Sequence, residues 1–205
     1  MLQILSGEYR SRTLQIPDGT QTRPMGSRTK EAIFNILRGW FEGARVLDVF
    51  AGVGTMGLEA ASRGASKVVC VEQNRQVGEY LRANIHTLGC GDRVQWVQTD
   101  ALGPGCIAAA PQPVDIVFVD PPYEMMTNEE TRQRVLSHIA NLRPVLAEKA
   151  FVVLRSPEYL KEVDYSIPGF VGPEAHEYGA QQHVFLYAPQ RGSAKSIEAG
   201  DTAAN

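Results

Sequence analysis

The spacing of apolar and polar positions changes after Gly43, where short apolar runs begin to alternate with amphipathic stretches. Continuous or alternating apolar runs predict strands, and apolar repeats at three and four residues predict helices. The predicted strands cover residues 45–50, 67–72, 93–99, 114–120 and 150–156. The predicted helices cover residues 54–64, 75–89 and 128–142, with a short one near 101–109. This alternation indicates an α/β fold with a mostly parallel sheet that is covered on both faces.

The two ends of the chain differ from this repeating middle. Residues 2–16 are β-prone and broken at Ser6–Gly7, which predicts a hairpin, and a loop with proline and glycine follows. Helical spacing returns over residues 29–41, with Ser27 as the predicted cap. Residues 183–189 predict a last strand, for which an antiparallel place at the sheet edge is one option. We therefore divide the chain into a hairpin and loop (1–26), a main domain (27–188) and a disordered tail (189–205).

Composition narrows the class of protein. The chain has 205 residues, is 43% hydrophobic and carries a net charge of −3, as soluble globular proteins do, and it has no apolar run of bilayer length. Its first residues, "MLQILSGEYR", lack the basic start and apolar core that predict export, and its three cysteines and four histidines are scattered. We therefore expect a cytoplasmic protein with reduced thiols and no metal site. Nothing in the pattern marks a dimer interface, so a monomer is expected.

Positive charge is concentrated near the start of the chain. Residues 1–45 hold seven Lys and Arg against four Asp and Glu, whereas the rest holds 13 against 19. A basic segment on an acidic body favours a local contact with a polyanion. The alternative is that these arginines only solvate the hairpin.

A glycine-rich turn between the first strand and the next helix suggests a nucleotide site. Gly52, Gly54 and Gly57 form GxGxxG, and Glu72 closes the next strand 20 residues after the first glycine. The spacing fits a dinucleotide or S-adenosylmethionine equally well. Asp48 and Asp100 also end strands, and a carboxylate in the crevice favours a cationic ligand over pyrophosphate. Acids at strand ends also serve as helix caps, which is the structural alternative.

The fourth strand ends in a rigid polar corner, Asp120-Pro121-Pro122-Tyr123. Proline restricts both its own backbone and the residue before it, so the segment is held stiffly over the carboxyl edge of the sheet. The Asp120 carboxylate and a backbone carbonyl such as that of Pro121 could each accept an N–H from the amino group of a base. Tyr123 could stack on that base. A diproline turn with a packed tyrosine is the structural alternative.

Four segments together resemble a known family: "RPMGSRTKEAIFNIL", "LDVFAGVGTMGLEAASRGA", "VEQN" and "VDPPY". They are similar to bacterial methyltransferases that modify guanine N2 in 16S ribosomal RNA, of the type that modifies guanine 966. The resemblance implies a Rossmann-like class I methyltransferase fold with an N-terminal β-hairpin extension. It also implies S-adenosylmethionine as cofactor, S-adenosylhomocysteine as product and no metal. The implied partner is 16S rRNA, free or in an assembled or assembling small ribosomal subunit, with no membrane partner.

The resemblance also implies roles for individual residues. The catalytic corner would be Asp120, Pro121, Pro122 and Tyr123. The cofactor would be bound by Asp48, Phe50, Gly52, Gly54, Glu72, Gln73, Asp100 and Ala101. The RNA would be contacted by Arg10, Arg12, Arg23 and Arg28. The chain departs from the family pattern at Leu154–Arg155, where an acidic residue is frequent.

Other functions remain open at this point. Related enzymes use a similar corner on DNA bases or, usually with Asn first, on a protein glutamine. GxGxxG with Glu72 also suits an NAD-dependent oxidoreductase, although this leaves Asp48 and the Asp-Pro-Pro-Tyr corner unexplained. A non-catalytic ribosome-assembly factor that binds RNA through its hairpin is a third possibility.

Overall fold

The computed structural model describes residues 2–17, 26–156, 162–178 and 182–190. Its strands are β1 (Arg45–Asp48), β2 (Lys67–Val71), β3 (Val94–Val97), β4 (Val114–Val119), β5 (Leu146–Ser156), β6 (Phe170–Glu177) and β7 (His183–Pro189). They form one sheet in the order β3-β2-β1-β4-β5-β7-β6. The first five strands run parallel, and β7 is antiparallel to both of its neighbours. The prediction of a mostly parallel α/β sheet is confirmed.

The helices connect the parallel strands and cover the sheet. They are α1 (Ser27–Ile36), α2 (Thr55–Ser62), α3 (Arg75–Leu88), α4 (Pro104–Ala109), α5 (Tyr123–Thr127) and α6 (Glu129–Leu142). No helix in the described part of the chain combines the length and the apolar character that crossing a bilayer requires.

Two apolar clusters, one on each face of the sheet, form the core. Val46 belongs to the cluster that contains α1, α2 and α3, whereas its neighbour Leu47 belongs to the cluster that contains α4 and α6. Successive strand side chains point to opposite faces, so central strands that are buried on both sides must be apolar at every position. This is why the short apolar runs predicted β1, β2 and β4 well.

Several sequence predictions need correction. Helix α1 ends at Ile36 rather than at residue 41, and Ser27 is its first residue, with Gly26 at the cap position and no side-chain cap bond. Strand β7 is antiparallel, but it lies between β5 and β6, so the edge position proposed for it is wrong. Strand β6 forms the actual edge and was not predicted. Its residues are mostly exposed, so it lacks the apolar run that identifies a buried strand.

The N-terminal segment forms a hairpin-like loop, closed by an antiparallel bridge between Gln3 and Thr13. Ile4, Tyr9 and Leu14 join the core cluster on the α2 side, so the loop packs onto the sheet domain. The proposed division at residue 26 stays a prediction, because residues 18–25 lie outside the described part. The tail was predicted from residue 189, but Pro189 is the last residue of β7 and Gln190 donates its N–H to the carbonyl of Gly169. From residue 191 onward the predicted tail lies outside the described part.

A buried ion pair attaches this hairpin to two helices. Lys30 of α1 and Glu59 of α2 lie 3.1 Å apart, with side chains 2% and 0% exposed. Glu59 also accepts the backbone N–H groups of Leu5 and Ser6 at 2.7 and 3.0 Å, and Lys30 donates to the carbonyl of Gln3. Each buried charge therefore has several partners, as burial of charge requires.

Candidate active site

The glycine turn follows the carboxyl end of β1 and leads directly into α2. Gly52 and Gly54 have positive φ angles of 54° and 90°, a backbone conformation that side chains disfavour. Gly57 lies in α2 where a Cβ atom would be 2.5 Å from Cys70 Sγ, so its lack of a side chain lets the helix approach β2 closely. Backbone conformation therefore favours glycine at the first two positions, and close helix–strand packing favours it at the third.

Asp48 ends β1 beneath this turn and is only 1% exposed. Its Oδ2 accepts the N–H of Gly57, in the first turn of α2, at 2.8 Å. Burial raises the pKa of Asp48 to about 7; the Gly57 hydrogen bond opposes the rise, and the nearby Asp120 and Glu72 carboxylates add to it. The structure thus gives Asp48 the helix-capping role that was the alternative to ligand binding. With a pKa of about 7, Asp48 carries only part of a negative charge at neutral pH and attracts a cationic ligand less than an ionised carboxylate would.

Glu72 connects the end of β2 to the glycine turn. Its Oε2 accepts the N–H of Gly52 at 3.0 Å, and its Oε1 accepts the N–H of Asn74 at 2.7 Å. Each carboxylate oxygen has a second lone pair, so Glu72 can still accept hydrogen bonds from ligand hydroxyls. Gln73, the next residue, is exposed beside it.

The remaining predicted cofactor residues lie at neighbouring strand ends. Asp100 is exposed and accepts the N–H of Leu102 at 3.0 Å, whereas Ala101 is buried. Phe50 is half-buried against the cluster on the α6 side. A Cβ atom built on Gly52 would meet nothing within 4 Å, so there is open space over the turn. Open space beside an available carboxylate fits a nucleoside ligand. The described residues contain no group of three or more His, Cys, Asp or Glu that could hold a metal.

The Asp-Pro-Pro-Tyr corner after β4 lies at the same end of the strands as the glycine turn, because β1 and β4 are parallel neighbours. Asp120 is partly exposed, Pro121 is buried and Tyr123 begins α5 with 54% of its surface exposed. Tyr123 is therefore available to a ligand and is not the packed tyrosine of the structural alternative. Burial raises the pKa of Asp120, and the Arg155 guanidinium opposes this rise.

Arg155 and Asn84 belong to the site but were not predicted as site residues. Arg155 of β5 donates its Nε to Asp120 Oδ1. Asn84 of α3 is buried and donates to the carbonyls of Val53, in the glycine turn, and Gln15, after the hairpin, both at 3.1 Å. The departure from the family pattern at Arg155 was the one sequence signal for it. Asn84 left no signal beyond its polar character in a helix.

The three predicted RNA-binding arginines that the structure describes lie in two separate elements. Arg10 and Arg12 belong to the hairpin turn, and Arg12 Nη2 donates to the carbonyl of Thr87 near the end of α3. Gly7 and Glu8 of the same turn contact Ser62, the last residue of α2. The hairpin turn therefore lies at the amino ends of the parallel strands, opposite the carboxyl ends that carry Asp120. Arg28 is exposed near the start of α1, and its neighbour Thr29 donates a hydrogen bond to Gln182, before β7. Arg23 lies outside the described residues, and an RNA-binding role stays a prediction for all four.

Similar proteins agree with this geometry. A family model described as "Conserved hypothetical protein 95" matches residues 2–187. The Bacillus subtilis protein named "Putative rRNA methyltransferase YlbH" is 32% identical over 173 residues, which is 83% of this chain and 88% of that protein. "Ribosomal RNA small subunit methyltransferase D" of Escherichia coli is 38% identical over 130 residues, which is 63% of this chain and 64% of that protein. The match thus covers less than two thirds of the Escherichia coli relative.

Solved structures support the fold. One described as "Putative methyltransferase yhhF from Escherichia coli" has a TM-score of 0.76 at 31% identity and covers 92% of this chain and 97% of its own. An RNA methyltransferase from Salinibacter ruber, in complex with S-adenosyl-L-homocysteine, has a TM-score of 0.58 at 18% identity, with coverage of 84% and 97%. At that identity the second similarity concerns the fold alone. The fold is that of class I methyltransferases.

Proposed function

This chain belongs to the family described as "Conserved hypothetical protein 95", and we propose that it transfers a methyl group from S-adenosylmethionine to N2 of a guanine in 16S ribosomal RNA. The observation that carries the proposal is the corner after β4. An acceptor carboxylate at Asp120, a stiff diproline and the exposed ring of Tyr123 lie at the same sheet edge as the glycine turn. The names of the two relatives support ribosomal RNA as the acceptor.

Cofactor binding would fall to the residues around the glycine turn. Glu72 has lone pairs for the ribose hydroxyls, and Asp48 would hold the turn in place through its hydrogen bond from the Gly57 N–H. Phe50, Gly52, Gly54, Gln73, Asp100 and Ala101 would complete the site. Bound there, S-adenosylmethionine supplies an electrophilic methyl group. No described residue needs to form a covalent intermediate for this chemistry.

The chain's own contribution to the reaction is to hold the acceptor base. The lone pair of an exocyclic amino group is delocalised into the ring, which makes the nitrogen a weak nucleophile. Asp120 and the carbonyl of Pro121 would each accept one N–H, and the nitrogen could then direct its lone pair toward the methyl group. Tyr123 would stack on the base, and an aromatic stack of this kind contributes about 1–3 kcal/mol. Fixed placement of two reactants accounts for much of the rate in such transfers.

The RNA partner would be 16S rRNA, within the small subunit or free, in the cytoplasm. A net charge of −3 gives weak attraction for RNA as a whole. Proteins of an assembling or assembled subunit could therefore provide part of the docking surface. Arg10, Arg12, Arg23 and Arg28 remain the candidates for phosphate contacts, which would make binding sensitive to salt.

The test is methyl transfer from labelled S-adenosylmethionine to small subunits, and to their free rRNA, purified from a strain that lacks this gene. Nucleoside analysis should find N2-methylguanosine at one position of 16S rRNA. Asp120→Ala removes the acceptor side chain altogether and should lower turnover by about 100-fold or more, as loss of one catalytic hydrogen-bonding group does. Its affinity for S-adenosylhomocysteine should stay close to that of the wild type.

Glu124→Ala is the matched control, because Glu124 is an exposed acid in α5 close to Asp120. It should keep full turnover. Cofactor binding without transfer to any ribosomal substrate would contradict the proposal and favour a DNA or protein acceptor. Binding of NAD instead of S-adenosylhomocysteine would favour the oxidoreductase alternative.

A further inference from the structure

Arg155 does not belong to the set of residues that would bind the cofactor. It lies in β5, where Leu154 pairs with Val119 of β4, so Arg155 and Asp120 follow this pair at the same level of the sheet. Their side chains are 18% and 20% exposed and form an ion pair. Ile33, Met56, Phe118 and Val153 line a small cavity with them. An apolar wall on one side and an ion pair on the other restrict the guanidinium to few orientations.

The ion pair presents donors and acceptors side by side. An ionised carboxylate only accepts hydrogen bonds, whereas a guanidinium only donates them and has five N–H groups. The bond from Arg155 Nε to Asp120 Oδ1 involves one of these donors. The other four belong to the two Nη atoms, and Asp120 Oδ2 is a further acceptor. The pair can therefore form hydrogen bonds with a base edge that carries both donors and an acceptor.

Guanine is the base whose Watson–Crick edge has this order. Its 2-amino group and N1–H are adjacent donors, and O6 follows as an acceptor. Adenine and cytosine offer one amino donor followed by an unprotonated ring nitrogen, so a carboxylate can accept only one N–H from that edge. A site built to satisfy specific polar groups strongly rejects analogues that lack them.

We propose that Arg155 is a specificity-determining residue that donates to O6 of the target guanine while Asp120 accepts from its N–H donors. The inference rests on the proposed function and adds to it a selection for guanine over other bases. The same guanidinium would hold Asp120 in place, which is a positioning role. The specificity role and the positioning role predict different changes in activity when only O6 of the target guanine is replaced.

The experiment changes O6 and Arg155 separately and together. The wild-type protein, Arg155→Met and Arg155→Lys are compared on 16S rRNA, free or reconstituted into subunits, with guanine or 6-thioguanine at the methylated position. 6-Thioguanine keeps both donors and replaces O6 with sulfur, a weak acceptor. Arg82→Met is the control, since Arg82 lies on α3 with a side chain that is 70% exposed.

The wild type should prefer guanine over 6-thioguanine by roughly 10- to 100-fold in kcat/KM, the loss expected for one hydrogen bond to a charged group. In Arg155→Met this ratio should fall to near one, and Arg82→Met should keep the wild-type ratio. A lysine side chain has a single nitrogen, so it cannot donate hydrogen bonds to Asp120 and O6 from separate nitrogen atoms as the planar guanidinium does. Arg155→Lys should therefore also lower the ratio. The lysine variant keeps the test decisive if the methionine variant fails to fold.

A ratio that stays at the wild-type value in the Arg155 variants, with both substrates slowed equally, would overturn the inference and leave only the positioning role. Affinity for S-adenosylhomocysteine, measured on the same samples, should be unchanged, because Arg155 does not touch the glycine turn in the described contacts. A wild-type protein that forms no N2-methylguanosine would instead contradict the proposed function, and the inference with it.

Discussion

The side-chain amide of Asn84 donates to the backbone carbonyl of Val53 at 3.1 Å and so connects α3 to the glycine turn. The same amide accepts the N–H of Gln15 at 2.7 Å and donates to its carbonyl. One buried side chain thus fixes the glycine turn and the segment after the hairpin relative to each other. The segment after the hairpin is therefore linked to the glycine turn through Asn84.

We expect Asn84→Leu to weaken binding of S-adenosylhomocysteine and to lower the free energy of unfolding by about 1–3 kcal/mol. The physical reason is that the buried Asn84 amide makes three hydrogen bonds, two with the Gln15 backbone and one with the Val53 carbonyl, which leucine cannot replace. Calorimetric titration and urea unfolding measure the two effects. Asn141→Leu, at an exposed position of α6, should change neither by more than about 0.5 kcal/mol. Unchanged cofactor affinity in Asn84→Leu would show that the turn does not depend on this contact.

The exposed ring of Tyr123 leads to a prediction about substrate binding. Tyr123→Ala should raise KM for the RNA substrate by about tenfold or more, because stacking on one base contributes about 1–3 kcal/mol. Tyr123→Phe keeps the ring and should stay close to the wild type. Stability should barely change in either variant, since the side chain is 54% exposed. Equal effects of Ala and Phe would point to the hydroxyl group instead of the ring.

The raised pKa of Asp48 predicts how stability depends on pH. Because this pKa is about 7 in the folded protein, against about 4 in an unfolded chain, the folded state binds the proton more tightly. The stabilisation is complete below pH 4 and is lost as pH rises to about 7. The wild type should thus lose about 2 kcal/mol relative to Asp48→Asn between pH 5 and pH 7. Urea unfolding of both proteins across this range measures it, and parallel curves would refute a buried, titrating Asp48.

The ion pair between Lys30 and Glu59 predicts a large loss of stability on removal of one partner. Lys30→Met should lower the free energy of unfolding by about 3–5 kcal/mol, because it leaves a buried carboxylate with less compensation. Arg63, whose Nε lies 2.9 Å from Glu59, makes the lower end of that range the expected value. Thermal and urea unfolding measure the change. The double variant Lys30→Met/Glu59→Leu should recover part of the loss, whereas exposed Lys149→Met should have no effect.

Much of the candidate site could be predicted from local patterns. Asp48, Glu72 and Asp120 each follow an apolar run that ends a parallel strand, and parallel strands joined by helices bring their carboxyl ends to one edge. The sequence could therefore place these acids together before any coordinates existed. It could not decide between ligand binding and capping for Asp48, because both uses place an acid at the same position.

The chain's local pattern by itself determined the parallel strands, the glycine turn and the acids that follow these strands, since burial on both faces leaves a short-range signature. The tertiary structure decided the features that depend on contacts between residues far apart in the sequence. It paired Arg155 with Asp120, joined Asn84 to Val53 and placed the hairpin turn beside Ser62, at the end of the parallel strands opposite the site. It also made the exposed β6 the outermost strand of the sheet. None of these features follows from sequence spacing, because each depends on how separate elements pack around a common core.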